Sequence, residues 1–528
     1  MKKNLLLSAL ILASSFFSLA GQAEEPAPKR GGTLNFLVEP EPPVLTTLVS
    51  TAGPILKVNS KVIEGLLNYD FNLNPVPALA TDWSVSQDGK QYTFHLRKGV
   101  KWHDGQDFTS ADVAFSILTV KQYNSRGQGT FASVAAVKTP DPYTAIIELS
   151  QPAPYLLSAF SANEAPIIPK HLYEGTDIRS NPHNTAPIGT GPYVFKEWVR
   201  GSHIIYERNP DYWDSPKPYI DKLVVKFIPD AATRTIAFET GALDLGSESP
   251  VPLSEIDRIK KNSKLGIETG GYGYGPTQTR IEFNLDNIYL KNLKVRQAIA
   301  HSINRDVLKN VVWYGYAVNS PTPITPELAQ FHDSTPSPYD FNIATANKLL
   351  DEAGFPRQAN GIRFKLTHDY MPYGDGFKRV AEYLKSSLAK VGIDVTIRSQ
   401  DFATFVKRVY TDRDFDFNNG SISNLFDPAV GVQRLYWSKT FKPGVPFGNG
   451  SHYSNPEVDR LLEQSSVETD PAKRVEGYKQ FQRIIARDIP DLNLLQIKRL
   501  TIYNKRVHNH LTDIQGVNGS LADVWLDQ

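Results

Sequence analysis

Short apolar runs and longer amphipathic stretches follow one another along this chain, with periods near two and near 3.6. Thr33 to Val38 is an apolar run that stops at Glu39-Pro40-Glu41-Pro42-Pro43. Proline has no N–H to give a sheet ladder, so the run predicts a strand and then a loop. A loop leaving the end of a first strand is a common wall of a ligand cleft in α/β layers. Tyr92 to Arg97 sets Tyr, Phe and Leu against Thr, His and Arg. This is the period-two pattern of a half-buried strand, with His95 on the polar side. Leu223 to Ile228, apolar apart from Lys226, predicts another strand.

The helical period is clearest in the second half. Residues 341–353 place Ala346, Leu349, Leu350 and Ala353 on one face, and Gly354 closes the helix. Residues 377–391 place Val380, Leu384 and Leu388 together before Gly392, and Ile393 to Ile397 follows as a strand. Helix, glycine and strand in that order form half of a crossover unit. Thr109 with Asp112 three residues on predicts a capped helix start at Ser110. Asp427-Pro428, Asn455-Pro456 and Asp470-Pro471 each put an N-cap acceptor before a proline at the first helical position. The last of these opens a helix over 471–488, with Val475, Tyr478, Phe481 and Ile485 on one side. Residues 492–503 read as returning strands, and 504–528 as a polar tail. Ser421 to Asn424 reads as a loop of small polar residues. Gly271-Tyr-Gly273-Tyr-Gly275 lacks a dinucleotide fingerprint's spacing, and a flexible connection between two lobes is its expected role.

Length and composition narrow the class. A chain of 528 residues is longer than one hydrophobic core usually supports, so two or more packed lobes are expected. A formal charge of +1 gives no reason to expect nucleic acid. Lys2 and Lys3, the apolar stretch Leu5 to Leu19, and Gly21-Gln22-Ala23 make residues 1–23 a cleavable secretory signal. Its removal takes two lysines and moves the formal charge from +1 to −1. No other long apolar run follows, so a soluble exported protein is expected. The chain has no cysteine, which excludes disulfides, zinc–thiolate sites, a cysteine nucleophile and a lipoprotein anchor. An exported protein without a lipid anchor is expected in a Gram-negative periplasm.

Catalytic signatures are missing. There is no H-E-x-x-H, no P-loop and no G-x-S-x-G elbow. His508 and His510 form a surface pair with no third ligand in sequence. Trp102-His103-Asp104-Gly105 resembles a catalytic dyad, but adjacent residues on a strand point to opposite faces, and scaffold is the expected role. A secreted hydrolase built on carboxylates that meet only in space remains the alternative from another class. No cofactor and no metal are expected.

From Val62 onward the sequence resembles the family-5 extracellular solute-binding proteins of ABC importers, which carry peptides, nickel chelates and opines. The resemblance rests on Glu64-Gly65-Leu66-Leu67, on PALATDWSVSQDGKQYTFHLRKGVKWHDGQDFTSADVAFS (77–116) and on GTGPYVFKEW (189–198). ERNPDYW (207–213), KVRQAIAHSINRDVL (294–308), LLDEAGF (349–355) and YSNPEVDRLL (453–462) continue it in the family's order. It implies a two-lobed α/β periplasmic binding protein of type II, cluster C, with an extra subdomain on lobe I. The implied division is lobe I over 24–278 (subdomain approximately 56–185), lobe II over 279–498 and a return to lobe I over 499–528. Ligand would bind between lobes that close over it, and membrane permease subunits would receive it from a monomer.

The candidate site residues are Glu39 and Glu41 after the first strand, Tyr373 and Asp375 in lobe II, and Ser421, Ser423 and Asn424 before the Asp-Pro pair. Tyr436 and Trp437 follow that pair, where they either face the cleft or pack in the core. Their expected roles are hydrogen bonding and stacking. In peptide-binding relatives an acid just ahead of the Asp-Pro pair can hold an α-amine, and a lobe II arginine can hold a carboxylate. Here no acid precedes Asp427 within 421–426, and 368–377 contains no arginine. A buried α-amine without a partner would be costly. That weighs against a dipeptide gripped by both ends and leaves backbone-held peptides, opines, oligosaccharides or metal chelates.

Overall fold

A computed structural model describes residues 27–335 and 337–527; the expected signal sequence lies outside them. Two large sheets organise the chain. The first has seven strands in the order Leu265–Glu268, Thr501–Asn504, Leu245–Gly246, Thr33–Leu37, Lys222–Lys226, His203–Arg208, Tyr193–Val199. Its central strand, Thr33–Leu37, runs parallel to both neighbours. The second sheet has six strands: Ala317–Asn319, Asp491–Ile497, Thr277–Phe283, Phe417–Ser423, Phe364–Tyr370, Ile393–Arg398. Here Phe364–Tyr370 is parallel to both neighbours.

A four-stranded antiparallel sheet (Ala80–Val85, Gln91–Leu96, Thr144–Leu149, Val134–Asp141) accompanies the first. Tyr92, Phe94 and Leu96 point inward as the alternation demands, into the same hydrophobic cluster as Phe36 and Leu223. Helix Ser110–Tyr123 packs on this sheet, and the Asp112 carboxylate accepts from Thr109 N at 2.9 Å.

Local signals translate directly where they are self-contained. Helices Ile343–Glu352, Asp375–Ala389 and Pro471–Asp488 form on the expected apolar faces. Asp427, Asn455 and Asp470 each accept backbone N–H bonds as N-caps. Two expectations change. Ser421 to Ser423 is not loop but the end of Phe417–Ser423, a strand flanked on both sides in the second sheet. Ladder pairing with Thr277–Phe283 along the whole strand, joined by Phe364–Tyr370 at its start, outweighs the weak strand preference of Asn, Gly and Ser. Residues 504–527, the described part of the expected polar tail 504–528, are not a polar tail either. Val507–His508 pairs with Trp525–Leu526, and Val517, Leu521 and Val524 are buried. Lys61, itself fully buried, donates to the Val517 carbonyl at 2.8 Å, and Tyr193 donates to that of Leu521 at 3.1 Å. This welds the segment to the first half of the chain.

Candidate functional site

Topology locates the site. The chain passes from Leu265–Glu268 in the first sheet to Thr277–Phe283 in the second, and returns from Asp491–Ile497 to Thr501–Asn504. Strand directions mean that it leaves the first sheet at the C-terminal edge of Thr33–Leu37 and Lys222–Lys226. It joins the second at the C-terminal edge of Phe417–Ser423, where Thr277 pairs with Ser423. The two C-terminal edges therefore face one another across a double crossover, the usual place for a ligand in α/β sheets.

The crossover is pinned rather than loose. Tyr272 OH bonds Thr501 Oγ1 at 2.6 Å and accepts from Glu248 N at 2.9 Å. Tyr274 donates to Ser158 O at 2.7 Å and tilts against Phe426 from the opposite lobe with centroids 5.2 Å apart. The glycines allow the turns and the tyrosines fix them, so the expected flexible connection is corrected. Glu248 bridges Lys57 (3.1 Å) and Arg499 (2.8 Å). Burial alone would raise its pKa, but the two cations outweigh burial and hold it at about 2. Nothing in sequence links positions 57, 248 and 499; only the fold brings them together.

The candidate residues divide by what their polar atoms already do. Glu39 follows the first strand at the C-terminal edge. Burial raises its carboxyl above the ordinary range, against the pull of Arg234 and Lys57. Tyr373 is 56% exposed and stacks on Phe402 at 4.8 Å, and Asp375 opens helix Asp375–Ala389 on the same edge of the second sheet. Ser421 and Ser423 are half-buried at the C-terminal end of strand Phe417–Ser423, and Ser423 Oγ accepts from Leu425 N at 3.2 Å.

The other four are occupied. Glu41 accepts from Trp198 Nε1 and from Gly201 N, both at 2.9 Å, and so holds a hairpin turn of the first sheet. Asn424 is fully buried; it accepts from Thr325 N at 2.8 Å and donates to Pro323 O at 3.1 Å. Tyr436 is core, its hydroxyl on Asp491 at 2.7 Å. Trp437 donates to Glu463 at 2.8 Å. In each of these four the hydrogen-bonding atoms already have partners inside the fold.

Charges beneath the second edge are paired. Arg280 lies between Glu282 (3.1 Å) and Asp491 (2.8 Å), and Arg474 grips both oxygens of Asp427 at 2.7 and 2.9 Å. Asp427 is thus a cap and an ion-pair partner together.

The motif residues of the first half meet elsewhere, in a knot around Glu64. Its carboxylate accepts from Thr190 (2.8 Å), Tyr212 (2.8 Å) and Trp213 (2.9 Å), joining EGLL, GTGPY and NPDYW. A side chain on Gly189 would meet Val62 O at 1.8 Å, which explains the glycine. His103 N donates to Gly189 O at 2.9 Å, and its ring bonds Gly191 O at 2.9 Å. Burial lowers its pKa to about 4, with the carbonyl opposing. The apparent dyad is a strut. His508 stacks on Trp525 at 3.8 Å, and His510 tilts against Tyr503 at 4.1 Å. Among the described residues no group of three or more His, Cys, Asp or Glu could hold a metal ion, and no helix is long and apolar enough to cross a membrane.

Two lobes joined by a double crossover, with facing C-terminal edges, define a two-lobed α/β binding protein. The chain belongs to the bacterial extracellular solute-binding proteins, family 5, whose description matches residues 74–443. Members of this family bind solutes for ABC importers and are not enzymes. The chain is 28% identical over 463 residues to the dipeptide-binding protein of Escherichia coli, covering 84% of each. It is similar to the DppA periplasmic binding protein of Helicobacter pylori in complex with the peptide STSA. There identity is 27%, coverage 95% and 99%, and TM-score 0.80. NikZ from Campylobacter jejuni, in complex with Ni(L-His), matches at 25% identity, 90% and 95% coverage and TM-score 0.79.

Proposed function

We propose that this protein is a periplasmic receptor that holds a peptide or peptide-like solute between the facing edges and delivers it to a membrane permease. The observation that carries the reading is the position of Glu39 on one C-terminal edge and of Tyr373 and Asp375 on the opposed one, whereas Glu41, Glu64, Asp427 and Asp491 spend their oxygens on partners inside the fold. The dipeptide- and tetrapeptide-binding relatives support a peptide as the solute class. Lobe I comprises 24–278 with its subdomain near 56–185, lobe II 279–498, and 499–528 returns to lobe I. Residues 1–23 direct export and are cleaved, and the mature monomer carries no lipid. Ligand touches both lobes only when they are closed, so binding shifts the population toward the closed form that a permease would recognise.

Native mass spectrometry of protein drawn gently from the periplasm tests this. A stoichiometric peptide mass is expected. A nickel–histidine mass would move the solute class to chelates, and turnover of a peptide pool by the purified protein would overturn the receptor reading.

A further inference from the structure

Two leucines sit where glycine or asparagine is usual. Leu73, at the tip of the hairpin between Leu67–Tyr69 and Pro75–Pro77, has a φ of 63°. Leu425, just past the end of strand Phe417–Ser423, has a φ of 53°. A bulky side chain in this left-handed region strains the backbone. The Leu73 turn is held by Asp70, whose carboxylate accepts from Asn72 N at 2.8 Å and from Asn74 N at 2.9 Å. Asparagine takes the left-handed conformation more easily and stands on both sides of the tip, yet the tip itself is leucine.

What the two side chains touch accounts for the choice. Leu73 follows the first strands of the chain, and it packs on the hydrophobic cluster of its own half and also on the one around Ile422, Tyr478 and Phe481 beside the second sheet. Leu425 leaves the second sheet and is buried in the cluster that holds Phe36 and Leu223 of the first. The two leucines thus cross between the lobes in opposite directions. Other contacts run the same way. Phe426, fully enclosed beside Leu425, meets the Tyr274 ring, and helix Pro456–Val467 packs on the turn Pro154–Ala159. A Cβ on Gly89 would stand 3.0 Å from Thr469 Cγ2. All of these are contacts of the chain with itself. Apolar area hidden between the lobes is regained by water when they part, so it favours the closed form whatever lies in the cleft.

We propose that Leu73 and Leu425 form a reciprocal latch that holds the two lobes together before a solute arrives. This rests on the reading of two lobes that open and close, and goes beyond it: the solute adds its contacts to a closed form that already dominates. Burial across the interface offsets the strain at each leucine.

The chain has no cysteine, so Thr139→Cys and Ala472→Cys, at exposed positions in opposite lobes, take spin labels cleanly. The mature full chain is unfolded in guanidinium to release any solute, refolded and checked empty by native mass spectrometry. The label separation is then read by pulsed electron paramagnetic resonance. A single short separation is expected in about 90% or more of the molecules. Leu73→Asn suits the turn but removes the apolar contact. It is expected to raise the ratio of long to short separations about tenfold, with the melting temperature held within about 3 °C. Leu425→Gly, which relieves the same strain in the facing lobe, is expected to raise the ratio likewise. Mainly long separations in the unsubstituted chain overturn the latch, and so do short separations that persist in both variants. A lowered melting temperature with the separation unchanged would make the leucines props of their own lobes and overturn it too. A shift in one variant alone overturns the reciprocal arrangement. No solute enters the measurement, so its failure leaves the receptor reading standing, and loss of that reading through peptide turnover would leave the separations as they are.

Discussion

Glu64 and Glu39 belong to the same half of the molecule and both are drawn out of water, yet their surroundings are opposite. Glu64 is ringed by three side-chain donors from two distant motifs. Glu39 sits at the edge that faces the second sheet, desolvated enough to raise its carboxyl, with cations near but no ring of donors. The first arrangement is complete and so works as scaffold. The second has capacity left for another molecule. The same contrast separates Asn424 and Tyr436, whose polar atoms are spent inside the fold, from Tyr373 and Asp375, whose are not.

The comparison can be broken most severely at the knot. Gly189→Ala drives a Cβ into the Val62 carbonyl. Backbone cannot move aside cheaply there, and the expected result is loss of soluble, cooperatively melting protein. A soluble variant with an unchanged melting curve would show that the knot is not rigid.

Next is the paired acid at the second edge. Asp427→Ala strands buried Arg474 and removes a helix cap, and is expected to cost about 3–5 kcal/mol in urea unfolding. A loss below about 1 kcal/mol would place Asp427 with the free edge groups rather than the scaffold.

pH separates the two glutamates more finely. Burial raises the Glu64 pKa to about 7, against the donors of Trp213, Thr190 and Tyr212, from an ordinary value of 4.5. Between those values the folded state binds more protons than the unfolded one. Its contribution is therefore full below about pH 4.5 and is lost as pH rises through about 7. Glu64→Gln is expected to flatten that part of the stability profile. An unchanged slope in unfolding curves at pH 5 and pH 8 would remove Glu64 as its source.

The smallest effect on stability is expected at the edge itself. Glu39→Gln should shift unfolding by less than about 0.5 kcal/mol while weakening solute binding measurably in a calorimetric titration. The reverse pattern would move Glu39 to the scaffold.

Much of the fold was legible because its signals are local. Proline after Asp or Asn set the helix starts at 428, 456 and 471, and alternation at 92–97 set an inward face, since caps and periods need only neighbours a few residues away. Phe417–Ser423 was missed because its stability comes from the strands on either side and not from its own residues. The C-terminal segment was missed because its apolar side chains join the hydrophobic cluster of the first half and its backbone carbonyls are bound by Ser60 and Tyr193, more than 300 residues away.

The sequence by itself determined the class of protein: ordered motif blocks, the absence of cysteine and of catalytic signatures, and the strand and helix periods all depend on local spacing and composition. Which polar groups are free was decided only by the tertiary structure. Burial, the Lys57–Glu248–Arg499 bridge, the occupied amide of Asn424 and the Asp427–Arg474 ion pair arise from residues tens to hundreds of positions apart. Electrostatics and desolvation act through space, and a chain read in order carries no measure of that distance.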